Sequence, residues 1–185
     1  YPASQLGSEF MPTLNEGTLL YMPASLPGMS ITKAAEVLQT QDKIIKSFPE
    51  IESVYGKAGR ANTATDPAPT EMFETVINLK PQEQWRAGMT TDKLIAELDK
   101  ALQFPGVSNA WTMPIKARID MLSTGIRTPI GIKVFGKDLN EMERLAKEIE
   151  AVVKAVPGTT SAFAERITGG FYLDITPERE QLARY

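Results

Sequence analysis

Two residue types that are common in metal centres and active sites are missing from this sequence of 185 residues, which contains no cysteine and no histidine. Without cysteine, disulfides, thiolate metal sites and cysteine nucleophiles are excluded. Without histidine, the commonest metal ligand and the commonest general base are missing as well. Neither a Ser–Lys nucleophile motif nor a phosphate-binding glycine loop is present. The sequence therefore predicts a protein that is not an enzyme and has no resident cofactor.

Long apolar runs and blocks of like charge are lacking too. No run approaches the roughly 18 to 20 apolar residues that a membrane-spanning helix needs. The net charge is −3 and no cluster of Lys and Arg occurs, which disfavours nucleic acids and anionic membrane surfaces as partners. With 42% hydrophobic residues, the chain has the composition of a folded protein with one large or two small domains.

The first half of the chain alternates strand-like and helix-like segments. Helices are predicted from the capping residue Ser30 to about Phe48 and from Thr91 to the Pro105–Gly106 break. The predicted strands are 17–22, 51–57, 71–80 and 107–113. This β-α-β-β-α-β order is that of a ferredoxin-like split βαβ unit, in which the helices cover one face of a mainly antiparallel sheet.

The pattern restarts after a connector at 114–128 that is predicted to be irregular. A strand at 129–135 is followed by a helix that Asp138 caps, and strands at 159–167 and 171–175 come next. The fold class is therefore α+β, with a βαββαβ unit and a second, incomplete βαββ unit. We expect an expression leader at residues 1–10, a first subdomain at 11–115 and a partial second subdomain at 116–185. An incomplete sheet favours a fragment that self-associates by dimerisation or strand exchange.

Three of the eight methionines are candidates for a binding site. Met72 alternates onto the polar side of its predicted strand together with Glu74 and Asn78, where a methionine is unusual. Met22 ends the first strand, and Met121 lies in the connector. Most methionines fill gaps in a core. If these three converge, their neutral thioether sulfurs favour Cu(I) or a similar soft ion over Zn(II).

Carboxylates near these methionines leave other interpretations open. Glu16 and Glu74 either attract a cation and line its path or are ordinary solvated residues. One rival hypothesis is a site for divalent zinc, cobalt or nickel that uses Glu16, Glu74 and Asp120 as oxygen ligands. A third hypothesis, from another class, is a ferredoxin-like interaction domain without metal, with the three methionines buried in separate cores.

Several long segments resemble the heavy-metal efflux branch of the resistance–nodulation–division transporters, and in particular its copper–silver type. They include NEGTLLYMPASLPGMS at 15–30, YGKAGRANTATDPAPTEMFET at 55–75 and RIDMLSTGIRTPIGIKVFG at 118–136. The resemblance covers about residues 10 to 185. It implies the porter subdomains named PC1 and PC2, the second of which is completed by chain beyond this segment.

The resemblance also implies residue roles and partners. The three-methionine site of the copper–silver type falls on Met22, Met72 and Met121, and Glu16 and Glu74 match its carboxylates. Arg127 stands where that pattern commonly has lysine, which preserves the charge but not the geometry. The whole pump is expected to be a proton-driven homotrimer in the inner membrane of a Gram-negative cell, with this portion in the periplasm. Its expected partners are a periplasmic adaptor and an outer-membrane channel, and its transported ligand is Cu(I) or Ag(I).

Overall fold

The structure is a computed structural model that divides the chain into two compact units, residues 1–135 and 136–185. It describes residues 14–59, 68–126, 128, 130–159, 161–166, 173 and 175–184. The predicted leader at 1–10 and most of the predicted loop at 59–70 lie outside these residues. The boundary predicted at residues 115 and 116 stays a prediction.

The first unit contains a four-stranded antiparallel sheet. Its elements are β1 (Thr18–Tyr21), β2 (Ala24–Ser25), α1 (Ile31–Lys46), β3 (Ile51–Ala58), β4 (Phe73–Leu79), α2 (Thr91–Ala101), β5 (Val107–Ser108), β6 (Trp111–Thr112) and α3 (Pro114–Thr124). The strand order is β3-β4-β1-β6, and β2 pairs with β5 in a separate ribbon. The α+β fold class is confirmed, and the order is that of a split βαβ unit.

Local capping explains where α1 and α2 begin. The Ser30 hydroxyl accepts a hydrogen bond from the Lys33 N–H, and the Thr90 hydroxyl accepts one from the Lys93 N–H. These bonds satisfy donors that the first helical turn leaves unpaired. Both predicted helix starts are therefore confirmed.

The main core lies between these two helices and one face of the sheet. In β4 burial alternates as predicted, with Phe73, Thr75 and Ile77 fully buried. The buried residues of this core are Leu19, Tyr21, Ile45, Ile51, Ile77, Leu79, Leu94, Leu98, Leu102 and Met113. Since neighbouring residues of a strand point to opposite faces, the alternate positions Leu20, Glu74 and Val76 belong to the other face.

That other face is partly covered by α3, which the sequence analysis did not predict. The prediction of an irregular connector at 114–128 is wrong for residues 114–124. Pro114 occupies the first helical turn, where its missing N–H costs nothing, and Gly125 ends the helix with a positive φ of 72°. Ala117 of this helix packs with Leu20 of β1.

The strand predicted at 107–113 is divided in two. β5 pairs with β2, whereas β6 pairs with β1. The break coincides with Asn109, whose side-chain amide donates to the carbonyl of Leu102 and the carboxylate of Asp99 while its oxygen accepts from the Tyr21 hydroxyl. A side chain that is bonded in this way holds the backbone between the two short strands away from regular pairing.

The second unit contains the predicted helix, and its described residues form no strand. α4 (Leu139–Lys154) begins after Asp138, whose carboxylate accepts from the N–H groups of Asn140 and Glu141. α5 (Arg179–Leu182) is a single turn. Residues 130–136 and 161–166 form no strand, because no described segment pairs with their backbone groups. Residues 129, 160, 167, 171, 172 and 174 of the predicted strands lie outside the described part.

No helix within the described ranges combines the length and the apolar character needed to cross a membrane.

Candidate metal centre

Met22 is the most buried of the three candidate methionines, with 4% of its surface exposed. It follows the last residue of β1, and its N–H donates to the carbonyl of Ala110 at 2.9 Å. Its side chain belongs to a small apolar cluster with Leu20 and Ala117, against which Val76 packs. The first sulfur of the candidate site therefore lies under α3, on the face opposite the main core.

Met72 lies on the neighbouring strand segment. It forms a bridge with Ala24, and the register of β1 on β4 pairs Tyr21 with Thr75. Continuing that register places Glu74 opposite Met22 and makes Met22 and Met72 diagonal neighbours. Diagonal cross-strand neighbours have Cβ atoms roughly 7 to 8 Å apart or slightly less, a separation that long side chains can bridge.

Met121 comes from the unpredicted helix. It lies four residues after Ala117, so both side chains share one stripe of α3. Ala117 packs with Met22, and Met121 is one turn further along, with 40% of its surface exposed. The three methionines thus lie on the same side of one sheet and within one compact unit.

The donor set fits a soft monovalent cation. Thioether sulfur is neutral, is not protonated at ordinary pH and prefers soft ions such as Cu(I). The apolar residues around Met22 provide the water-poor surroundings in which weak neutral ligands compete best. Within the described residues, no group of three or more Asp, Glu, His or Cys side chains is placed to hold a metal ion.

Glu74, a predicted carboxylate of the site, is paired with a lysine. Its Oε2 lies 3.0 Å from the Nζ of Lys57, and the two residues are direct cross-strand partners in β3 and β4. Because cross-strand partners share a face, Lys57 and Glu74 both lie on the methionine side of the sheet. The carboxylate is thus placed next to the sulfurs but is already compensated in charge.

Asp120 shows the same arrangement on α3. Its Oδ2 lies 3.1 Å from the Nζ of Lys116, one helical turn earlier, and both side chains are largely buried. Two of the three carboxylates that the divalent-metal hypothesis requires are therefore engaged by lysine.

Of the remaining predicted residues, Glu16 is not brought to the methionines. Glu16 is exposed and precedes β1, whereas Met22 follows it. The four residues of β1 alone span about 13 Å, so Glu16 is at the far end of this strand. Arg127 lies outside the described residues. The predicted roles of Glu16 and Arg127 stay predictions.

The opposite face of β1 is held by aromatic packing and hydrogen bonds. Tyr21 stacks on Trp111 with ring centroids 4.5 Å apart, and its hydroxyl donates to Asn109 at 2.7 Å. The Trp111 indole N–H donates to Asp99 at 2.9 Å. Burial, reinforced by the nearby Asp99 charge, raises the pKa of the Tyr21 phenol, which therefore stays neutral. This network fixes the strand that carries Met22.

Sequence reasoning missed Lys57, Lys116 and Ala117 as residues of this region. The spacing of four between Lys116 and Asp120 could have suggested an ion pair, but only once a helix was recognised there. The pairing of Lys57 with Glu74 depends on strand register, which the sequence pattern leaves undetermined.

The family model described as "AcrB/AcrD/AcrF family" matches residues 1–185. The cation efflux system protein SilA of Salmonella typhimurium is 58% identical over 185 residues, which are all of this chain and 18% of that protein. The cation efflux system protein CusA of Escherichia coli K12 is 56% identical over the same share. These matches begin at residue 1 and so include the ten residues that were expected to be a leader.

A solved structure supports the same relationship. The first crystal form of a heavy metal efflux pump matches with a TM-score of 0.80 and 28% identity, over 85% of this chain and 17% of that one. The chain thus spans about a fifth of the length of the relatives that it matches. The resemblance that the sequence motifs indicated is confirmed, and the chain belongs to the AcrB/AcrD/AcrF family.

Proposed function

We propose that this chain is a periplasmic porter module of a heavy-metal efflux pump and that Met22, Met72 and Met121 bind Cu(I) or Ag(I) as the transported substrate. The observation that carries the proposal is the placement of all three thioethers on one side of a single sheet. Met22 and Met72 are diagonal neighbours across paired strand segments, and α3 adds Met121 one turn beyond its contact with that face.

The surroundings of each sulfur suit binding followed by release. Met22 is held in an apolar cluster, Met72 is partly buried, and Met121 is the most exposed of the three. A soft cation can therefore meet Met121 first and lose its water as it reaches the buried sulfur. Since three thioethers add no negative charge, they hold a monovalent ion without the strong attraction that would prevent its release.

The observed contacts count against the two other hypotheses. A divalent site needs carboxylate oxygens, but Glu74 and Asp120 are paired with lysines. A metal-free interaction domain with its methionines in separate cores would place them on unrelated elements. Here Met22 and Met72 lie on paired segments, and Met22 packs with the helix that carries Met121.

The proposal extends to the whole protein by relationship. SilA and CusA are named cation efflux system proteins, so we infer that this chain comes from a pump that exports cations. The pump is proposed to be a proton-driven homotrimer in the inner membrane of a Gram-negative cell that works with a periplasmic adaptor and an outer-membrane channel.

Calorimetric titration of the full chain with Ag⁺ tests the proposal. We expect saturable one-to-one binding that the triple variant Met22→Ile/Met72→Ile/Met121→Ile loses. The matched control is Met29→Ile/Met89→Ile/Met142→Ile, which removes the same number of thioethers elsewhere and should bind as the parent does. Equal binding by both triple variants would refute the methionine site.

A further inference from the structure

We propose that Lys57 and Lys116 determine the metal specificity of the sheet face that carries the three methionines. Each lysine forms an ion pair with a carboxylate that a divalent cation would otherwise use as a ligand. This inference rests on the proposed methionine site, and it assigns a role to residues that do not themselves bind the metal. They act through Glu74 and Asp120.

The first pair lies directly beside two of the sulfurs. Glu74 occupies the strand position opposite Met22, two residues from Met72, and its carboxylate contacts Lys57 at 3.0 Å. Both side chains of the pair are partly exposed. Lys57 therefore engages the carboxylate on the methionine side of the sheet while leaving it accessible to solvent.

The second pair lies on the helix that carries the third methionine, on the stripe next to that of Ala117 and Met121. Asp120 immediately precedes Met121 on α3, and both of its oxygens face Lys116, at 3.1 and 3.5 Å from Nζ. This pair is more buried than the first. Loss of the lysine would consequently leave a poorly solvated carboxylate on the helix that carries Met121, and a cation would replace the lost charge.

Charge and ligand type lead to the same conclusion. Three thioethers and two neutralised carboxylates form a site of no net charge, which suits a soft monovalent ion. Without the lysines, the same face would carry two negative charges and hard oxygen ligands, the combination that divalent cations prefer. The lysines therefore select against divalent ions by removing ligands that these ions need.

Titration of the full chain with Ag⁺ and, separately, with Zn²⁺ tests the inference. The double variant Lys57→Gln/Lys116→Gln should gain Zn²⁺ affinity by about tenfold or more, the combined effect of losing two modest ion pairs, while Ag⁺ affinity stays within a few fold. The conservative variant Lys57→Arg/Lys116→Arg retains the charges and should resemble the parent. Lys33→Gln breaks an exposed pair with Glu36 on α1 and is the matched control, for which no change is expected. Circular dichroism establishes that each variant is folded.

The outcomes separate this inference from the proposed function. If the parent binds Ag⁺ but the folded double variant gains no Zn²⁺ affinity, the role of the lysines is refuted and the methionine site stands. If the parent does not bind Ag⁺ but the double variant gains Zn²⁺ affinity, the methionine site is refuted and the lysines still control the carboxylates. Loss of both responses refutes both proposals, whereas Zn²⁺ binding by the parent that matches that of the double variant refutes the role of the lysines.

Discussion

The two units of the chain differ in how well their apolar residues are covered. In the first unit, Leu94 and Leu98 of α2 have no exposed surface. In the second unit, Val152 of the amphipathic helix α4 is 68% exposed. Both apolar clusters found among the described residues lie within 19–117.

The difference shows which features of a βαβ pattern are local. A helix cap needs only a few neighbouring residues, so Asp138 starts α4 as effectively as Ser30 starts α1. A strand needs a partner for its backbone groups, and β1 finds partners in β4 and β6. In the described part of residues 130–184, no segment pairs with another, and no strand is present. Among the described residues, helices thus form in both units, whereas a sheet and buried apolar clusters form only in the first.

The largest expected effect on the free energy of unfolding comes from a pair of matched truncations, one in each unit. Leu98→Ala removes a fully buried side chain and should lower the free energy of unfolding by about 3 kcal/mol. Val152→Ala removes an exposed one and should change it by no more than about 0.5 kcal/mol. Urea unfolding followed by far-ultraviolet circular dichroism, which reports the helices of both units, and by the fluorescence of Trp85 and Trp111 in the first unit measures the two values. Equal losses would show that α4 is buried against a core.

A smaller effect concerns the buried ion pair of the first unit. The Glu50 carboxylate is fully buried and accepts hydrogen bonds from the Nε and an Nη of Arg86. Glu50→Gln should cost about 2 kcal/mol, less than the loss of a wholly buried pair because Arg86 is half-exposed. Glu97→Gln, which removes the exposed partner of the same arginine, should cost about 0.5 kcal/mol or less.

The stability that Glu50→Gln loses should depend on pH in a definite direction. Hydrogen bonds from Arg86 lower the pKa of Glu50 in the folded state. A lowered folded pKa means that the stabilisation is complete above the unfolded value of about 4.3 and is lost as the pH falls through the folded pKa. The difference between the parent and Glu50→Gln should thus shrink on acidification below about pH 4. A difference that grows on acidification would contradict this assignment.

Particular residues show how far the sequence could predict this structure. The apolar period of α2 and the alternation of β4 predicted their buried faces, because burial imposes those periods directly. The helix α3 was missed because 114–128 was predicted as a connector as a whole, whereas Pro114 lies in the first turn of this helix and Gly125 ends it. Gln41 is fully buried without a described hydrogen-bond partner, and no apolar pattern can reveal a polar residue in a core.

The candidate site, too, was predictable from the sequence only in part. The chemistry of its three sulfurs was predictable from residue type and motif, and their shared face depends on a register and a helix that only the structure provides. The pairing of Glu74 with Lys57 is a long-range contact between two strands. Such contacts depend on tertiary pairing and not on local preference, so the sequence pattern could not reveal that the carboxylates are already engaged.

X-ray absorption at the silver edge, recorded on the full chain with one equivalent of Ag⁺, tests the central claim most directly. The account predicts a first coordination shell of three sulfur atoms that disappears in Met22→Ile/Met72→Ile/Met121→Ile and persists in Met29→Ile/Met89→Ile/Met142→Ile. A shell made of oxygen or nitrogen, or a sulfur shell that survives the first triple substitution, would contradict the proposal that these three methionines bind the metal.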